Sequence, residues 1–117
     1  MTLTRDELGN IVQTLTAKLS ASIPDNLKKV ILYGSYARGD YSDYSDVDMM
    51  VLVDSDQPES FYAYIESDVN AMSLEYLVLI TCLFKNYNHF YKAMDCTSFY
   101  KNVDSEGIVY YDSERKN

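Results

Sequence analysis

The sequence predicts an α+β fold in which a small mixed β-sheet packs against helices. Several segments repeat apolar residues at helical spacing, and short apolar runs bounded by turn-forming residues lie between them. A chain of 117 residues, 47% of them hydrophobic, is long enough for one domain with a packed core and too short for a second. We therefore expect a single domain over residues 1–117.

The first element is a helix that ends near Ser22. Thr4 and Glu7 form a capping-box pattern, in which a threonine at the N-cap and a glutamate three residues later satisfy free N–H groups. Pro24 ends the helix, and the first strand follows over residues 27–33. Apolar residues at helical spacing predict one buried stripe along the helix: Leu8, Ile11, Val12, Leu15 and Leu19.

The later apolar runs predict three more strands. The run over residues 74–81, LEYLVLIT, is nearly all apolar, so we expect a strand that is central or covered on both faces. The other two strands lie near residues 46–54 and 107–111. Helical patterns separate and follow these runs, over residues 59 to about 70, 83–94 and 98–104.

The polar stretch between the first two strands contains the candidate functional residues. Asp46 and Asp48 project from one face of the second strand, while Val47 and Met49 project from the other. Two neighbouring carboxylates repel each other and are costly to bury without compensation. Mg²⁺ supplies that compensation, because it binds through one or two protein carboxylates together with substrate phosphates. The pair therefore predicts a metal-nucleotide site.

Gly34 and Ser35 are the candidates for binding phosphate. A glycine at the end of a strand lets the backbone approach a phosphate closely, and the helical turn after it points free N–H groups outward. Arg38 is one turn further on and is expected to neutralise phosphate charge or to pair with a neighbouring aspartate. Tyr41 and Tyr44 in the following loop either stack on a base or are exposed loop tyrosines.

Three motifs in this order resemble the signature of the DNA polymerase β-like nucleotidyltransferase superfamily: Gly34-Ser35, Ala37-Arg38-Gly39 and Ser45-Asp46-x-Asp48. More narrowly, the chain resembles the small minimal nucleotidyltransferases of prokaryotes, some of which are antitoxins of HEPN-domain toxins. The resemblance implies a nucleotidyltransferase fold. It also implies transfer of a nucleoside monophosphate, most often AMP from ATP, to an acceptor hydroxyl with release of pyrophosphate.

The resemblance further implies two Mg²⁺ ions, with Mn²⁺ as a substitute, bound by Asp46, Asp48 and a third carboxylate on the following strand. Glu75 is the only acidic residue in the predicted strand 74–81, so the resemblance assigns this role to Glu75. The alternative is that Glu75 is an exposed glutamate at the end of a strand. The catalytic residues would be these three carboxylates, and the residues that bind the phosphates would be Gly34, Ser35 and Arg38.

Composition limits the partners. The net charge of −8, from 10 basic and 18 acidic residues, argues against long nucleic acid, whose binding depends on lysine and arginine. The chain has no signal-peptide pattern and no apolar span that would cross a membrane, so we expect a cytoplasmic protein. Its 12 tyrosines favour an interface with a second copy or with a partner such as a HEPN-domain protein.

Three functions remain open at this point. The leading hypothesis is a metal-dependent nucleotidyltransferase that acts on a hydroxyl of a protein or a small molecule. The second is a non-catalytic, nucleotide-binding antitoxin or interaction module. The third is an aminoglycoside-type nucleotidyltransferase, which the acidic charge favours and the absence of an acceptor-binding domain disfavours. The sequence leaves the acceptor and the base preference open.

Overall fold

The computed structural model describes residues 2–115 and confirms the α+β class. A four-stranded mixed sheet lies between two layers of helices. Two 3-10 helices, Pro58–Tyr64 and Met94–Cys96, complete the regular structure. The strands are β1 (Leu27–Tyr33), β2 (Val47–Val53), β3 (Ile80–Asn86) and β4 (Ile108–Asp112), and the helices are α1 (Arg5–Ser22), α2 (Ser35–Arg38), α3 (Glu66–Tyr76), α4 (Tyr87–Lys92) and α5 (Ser98–Glu106).

The strands are arranged in the order β3-β2-β1-β4. β1 is antiparallel to both β2 and β4, whereas β2 and β3 are parallel and are connected through the first 3-10 helix and α3. The register places Tyr33 opposite Asp48, and Asp48 opposite Thr81. Because directly paired residues point to the same side of a sheet, these three side chains share one face at one end of the sheet.

Each face of the sheet has its own helical layer and its own core. The alternation along β2 sends successive side chains to opposite faces. On one face α1 and α3 pack against β2, with buried residues that include Leu15, Leu19, Met49, Val51 and Met72. On the face that carries Asp48, α4 and α5 pack over a second cluster of Ile31, Met50, Leu52, Phe90 and Val103.

The predicted first helix and first strand are confirmed. Thr4 Oγ1 accepts a hydrogen bond from the Glu7 N–H at 3.1 Å, and the Thr4 N–H donates to Glu7 Oε1 at 2.8 Å, so the capping box is complete. β1 has the predicted bounds of 27–33. None of the helices within residues 2–115 has the length and apolar character needed to cross a membrane.

The predicted strand over residues 74–81 is wrong. α3 continues to Tyr76, and Leu77 caps it in the left-handed region with φ 52°, so the strand begins only at Ile80. The leucines in this run face solvent, since Leu74, Leu77 and Leu79 are 77%, 87% and 62% exposed. A short apolar run has no period that separates a strand from a helix end, and here its apolar character does not reflect burial.

Two helix boundaries change with it. The predicted helix over residues 59–70 is a 3-10 helix followed by α3, and the helix predicted over residues 83–94 begins at Tyr87 because β3 extends to Asn86. The other predicted elements agree with the structure within about two residues.

Candidate active site

The connection between β1 and β2 begins with a backbone conformation that favours glycine. Gly34 has φ +79°, and its carbonyl oxygen accepts hydrogen bonds from the N–H groups of Ala37 at 3.1 Å and Arg38 at 3.0 Å. The short helix α2 ends at Gly39, which has φ +89° and donates its N–H to the Ser35 carbonyl oxygen at 2.9 Å. Two glycines with positive φ therefore enclose a single helical turn.

Gly34 also leaves the space that Asp48 occupies. A Cβ atom at position 34 would overlap the Asp48 carboxylate, which lies directly against the Gly34 backbone. A larger residue would strain the backbone and displace this carboxylate together. The Gly-Ser motif and the Asp-x-Asp motif are thus in direct contact.

Asp48 is half-buried and electrostatically unfavourable in its charged form. Burial raises the pKa of its carboxyl group, the negative charge of Asp46 raises it further, and the positive charge of Arg38 opposes both effects. The Asp46 side chain is therefore close enough to repel Asp48, although Asp46 precedes β2 by one residue. A cation placed against both carboxylates would relieve this repulsion.

Arg38 pairs with two carboxylates. Its Nε lies 3.2 Å from Asp40 Oδ2, and its Nη1 lies 3.5 Å from Glu106 Oε2 at the end of α5. These partners raise the pKa of the Arg38 guanidinium, with the hydrogen bond to Asp40 as the largest favourable cause. The prediction that Arg38 pairs with a neighbouring aspartate is confirmed, and the pair with Glu106 links α2 to α5.

A cleft of about 320 Å³ opens between α2 and α5. One side, the motif wall, consists of Gly34, Ser35 and Asp48. Tyr33 and Arg38 line the two ends, and the cleft volume lies within the range of small-molecule sites. The opposite side is formed by α5, through the buried Val103 and three exposed residues that we call the α5 wall: Phe99, Asn102 and Glu106.

Comparison with known proteins shows the family to which this chain belongs. The model of a family described as "Nucleotidyltransferase domain" matches residues 14–110, which is most of the chain. The chain belongs to the nucleotidyltransferase family. The resemblance seen in the Gly-Ser and Asp-x-Asp motifs is thereby confirmed.

Curated relatives of this nucleotidyltransferase come from the archaeon Methanocaldococcus jannaschii. Two of them, MJ0604 and MJ0141, carry the name "Putative protein adenylyltransferase". The first is 36% identical over 93 residues, covering 80% of this chain and 87% of the relative. The second is 34% identical over 102 residues, covering 87% of this chain and 97% of the relative.

The donor set of the nucleotidyltransferase fits one divalent cation. Asp46 and Asp48 provide two mutually repelling carboxylates beside the Gly34-Ser35 turn, and Mg²⁺ binds through one or two such carboxylates together with substrate phosphates. Across residues 2–115, no group of three or more acidic, histidine or cysteine side chains is arranged to hold a metal ion.

β3, the strand next to β2, does not provide the third carboxylate that the resemblance implies. β3 has the sequence ITCLFKN, which contains no acidic residue, and the residue opposite Asp48 on this strand is Thr81. Thr81 thus lies where the resemblance leads us to expect a third metal ligand. Its hydroxyl is a neutral group and does not supply the charge of a carboxylate.

The basis for placing Glu75 at the metal site is wrong. Glu75 is exposed on α3, and the buried residues of α3, Val69 and Met72, pack in the core on the face opposite Asp48. It does not line the cleft. The assignment rested on a predicted strand that is a helix end, so Glu75 is left out of the site proposed below, and its role as a metal ligand stays a prediction.

The loop tyrosines also lie away from the cleft walls. The Tyr41 ring stacks on Tyr36 with centroids 4.6 Å apart and an interplanar angle of 18°. Tyr44 is 94% exposed, as an ordinary loop tyrosine is. Neither residue is among those that line the cleft.

Sequence reasoning missed the contribution of α5 to the cleft. Phe99, Asn102 and Glu106 are spaced i, i+3 and i+7, so they form a stripe along one side of the helix. This spacing is visible in the sequence, but nothing local shows that the stripe faces Gly34 rather than solvent. Tyr33 was missed as well, and its pKa is raised to about 12 by burial and by the neighbouring charge of Asp48.

Proposed function

We propose that this nucleotidyltransferase transfers AMP from ATP, with Mg²⁺, to a hydroxyl group of a protein. The observation that carries the proposal is the direct contact between Asp48 and the Gly34 backbone. This contact places the Asp48 carboxylate, as the proposed metal ligand, beside the start of α2. The first N–H groups of a helix have no acceptors within the helix and are available to a phosphate. Metal and phosphate ligands therefore converge, as phosphoryl transfer requires.

The residues of the motif wall, together with Asp46 and Arg38, have distinct roles in this proposal. Gly34 and Ser35 bind the phosphates, since the backbone is accessible at the glycine and the Ser35 side chain adds a donor. Asp46 and Asp48 hold the cation, which when bound neutralises phosphate charge and polarises the α-phosphoryl group. Arg38 adds a positive charge at the end of the cleft, where its two carboxylate partners fix its orientation.

The reaction is an in-line substitution at the α-phosphorus. The acceptor oxygen forms the new bond to phosphorus, the bond to the bridging oxygen of the β-phosphate breaks, and pyrophosphate leaves. The acceptor proton is released to water. The role of the chain is mainly to position the reactants and to organise charge, which is how most phosphoryl-transfer sites act.

A protein is the acceptor favoured by the relatives, both of which are named for protein adenylylation. The resemblance to antitoxins of HEPN-domain toxins makes a HEPN-domain protein the first acceptor to test. The net charge of −8 favours a basic partner over long nucleic acid. A second copy of the chain is an additional partner that the high tyrosine content supports.

One observation favours a second candidate function. Because the residue opposite Asp48 on β3 is Thr81 and not a carboxylate, the chain is also suited to bind a nucleotide and to neutralise its partner by contact alone, without transfer. In that case AMP would never be transferred, although ATP would bind. Retained ATP binding with no transfer would distinguish this module from the enzyme.

The experiment that separates the two compares ATP labelled at the α-phosphate with ATP labelled at the γ-phosphate. Each is incubated with Mg²⁺, the purified protein and lysate of its source cells, and the doubly substituted Asp46→Asn/Asp48→Asn protein is the control. AMP transfer predicts a labelled protein with the α-label only, and only with intact aspartates. Bound ATP without any labelled protein would support the binding module instead.

A further inference from the structure

The cleft has two chemically different ends. At one end Tyr33 and Phe99 meet edge to face, with ring centroids 5.6 Å apart at 76°. At the other end Arg38 pairs with Glu106. Phe99 and Glu106 are two helical turns apart on α5, which corresponds to about 10 Å along the axis. The cleft thus provides an aromatic end and a charged end, as a nucleotide with a flat base and an anionic chain requires.

Phe99 offers a ring surface that the fold does not use. Its side chain is 42% exposed, and its ring neighbours Tyr33 and Tyr100 at centroid distances of 5.6 and 5.8 Å. Both neighbours meet it at steep or intermediate angles rather than face to face, so a parallel partner is absent among the described residues. A base that stacks on an aromatic ring would cover this apolar area.

Asn102 lies one turn further along the same side of α5. It is exposed in the cleft, and within residues 2–115 its side-chain amide makes no hydrogen bond. An asparagine amide has a donor and an acceptor that match the N7 and N6 positions of adenine, whereas guanine presents two acceptors at that edge. The Asn102 amide is therefore suited to select adenine.

We propose that α5 forms the nucleoside subsite of this enzyme, with Phe99 as the surface on which adenine stacks and Asn102 as the residue that distinguishes adenine from guanine. The inference rests on the proposed function, because it assumes that the phosphates lie at Gly34 and Ser35. It adds a wall of the site that lies outside both sequence motifs. The third residue of the α5 wall, Glu106, orients Arg38 at the phosphate end.

The test measures binding of three probes in the presence of Mg²⁺ by calorimetry: ATP, GTP and inorganic tripolyphosphate. The variants are Phe99→Leu, which keeps an apolar side chain but removes the ring, and Asn102→Ala. Lys101→Ala is the matched control, since Lys101 is exposed on α5 and is not a cleft residue. A thermal melt of each variant reports whether the fold is intact.

Phe99→Leu is expected to weaken ATP and GTP binding about tenfold and to leave tripolyphosphate binding unchanged, because that probe has no base. Asn102→Ala is expected to reduce the preference for ATP over GTP about tenfold. If Phe99→Leu fails to fold, the ratio of ATP to GTP affinity in Asn102→Ala still tests the proposal, because Asn102 is exposed and its substitution should not disturb the fold.

Two negative results have different meanings. Wild-type protein that binds ATP, together with variants that bind all three probes as the wild type does, would overturn the nucleoside subsite alone. Wild-type protein that binds neither ATP nor tripolyphosphate would overturn the proposed function and this inference with it.

Discussion

The two walls of the cleft differ in construction. In the motif wall, the Asp48 carboxylate lies against the Gly34 backbone so closely that no side chain fits between them. In the α5 wall, Phe99, Asn102 and Glu106 are exposed side chains of a helix that is linked to α2 by the ion pair between Glu106 and Arg38. The chemistry is therefore assigned to the tightly packed wall and nucleotide recognition to the open one.

This contrast predicts different consequences for substitutions in the two walls. A displacement of about 1 Å in a reacting group can lower a rate roughly a hundredfold, whereas a single exposed contact changes affinity by about tenfold or less. Variants in the motif wall should thus change the rate of transfer, and variants in the α5 wall should change nucleotide affinity.

The largest effect is expected from the metal-binding carboxylates. Asp46→Asn and Asp48→Asn should each lower AMP transfer roughly a thousandfold, because the cation contributes several kcal/mol of charge stabilisation. Single-turnover transfer with saturating ATP and Mg²⁺ measures this effect. A variant that keeps more than about a tenth of wild-type transfer would show that the cation is held elsewhere.

Gly34→Ala is expected to lower transfer about a hundredfold and to destabilise the fold. The backbone conformation of Gly34, with φ +79° and ψ −160°, is nearly exclusive to glycine and costs another residue about 1–3 kcal/mol, and the Cβ of an alanine would displace Asp48. Gly9→Ala is the matched control, because Gly9 lies in α1 with no atom near its Cβ position and should gain up to about 1 kcal/mol in stability. Denaturant unfolding and transfer assays report both quantities, and normal transfer in Gly34→Ala would refute the close contact.

The difference in stability between wild type and Asp48→Asn should depend on pH in a defined direction. Because the folded-state pKa of Asp48 is raised above its ordinary value of 3.8, the folded state binds this proton more tightly than the unfolded state. The stability that this proton provides is complete below pH 3.8 and is lost as the pH rises through the folded pKa. Without metal, the variant should therefore match wild type in acid and exceed it above that pKa.

Unfolding curves at several pH values test this sign. An Asp48→Asn protein that is less stable than wild type near neutral pH, in the absence of metal, would indicate that the Asp48 charge is favourably paired. Addition of Mg²⁺ and ATP should stabilise wild type and not the variant, which reverses the order of the two proteins.

Glu106→Gln tests the α5 wall at its charged end. Removing this carboxylate takes one negative charge from the cleft, while the glutamine oxygen can still accept a hydrogen bond from Arg38. Binding of ATP with Mg²⁺ should therefore tighten about threefold, as expected for the charge of one exposed group. Asp104→Asn, on α5 outside the cleft, should leave the affinity unchanged. Weaker binding in Glu106→Gln would mean that the carboxylate supports the site directly.

The smallest effect is expected at Glu75. Glu75 is exposed on α3, and α3 packs on the face of the sheet opposite Asp48. Glu75→Gln should therefore change transfer less than about twofold. Steady-state assays beside Asp48→Asn provide the comparison. A loss as large as that of Asp48→Asn would place Glu75 in the site through a rearrangement of α3.

The sequence predicted the motif wall better than the α5 wall for a physical reason. Gly34, Ser35, Asp46 and Asp48 belong to one hairpin, where strand ends and turn geometry bring local residues together. The α5 residues are distant in sequence from this hairpin and reach the same cleft through tertiary packing. No local sequence pattern predicts that packing. Helical spacing predicted the element but not its neighbour.

The third strand shows the opposite failure. In the run LEYLVLIT, Leu74, Leu77 and Leu79 suggested a buried strand, yet all three are exposed where α3 ends and β3 begins. Apolar composition predicts burial only on average, and a run of this length fits either a strand or a helix end. The assignment of Glu75 to the metal site rested on this predicted strand.

The most direct test of the two-wall account is a crystal structure of the protein with Mg²⁺ and an ATP analogue whose α–β bridge cannot be cleaved. The account predicts the phosphates at Gly34 and Ser35, a cation bound by Asp46 and Asp48, and adenine stacked on Phe99. An analogue whose base projects away from α5, or a cation bound without either aspartate, would contradict it.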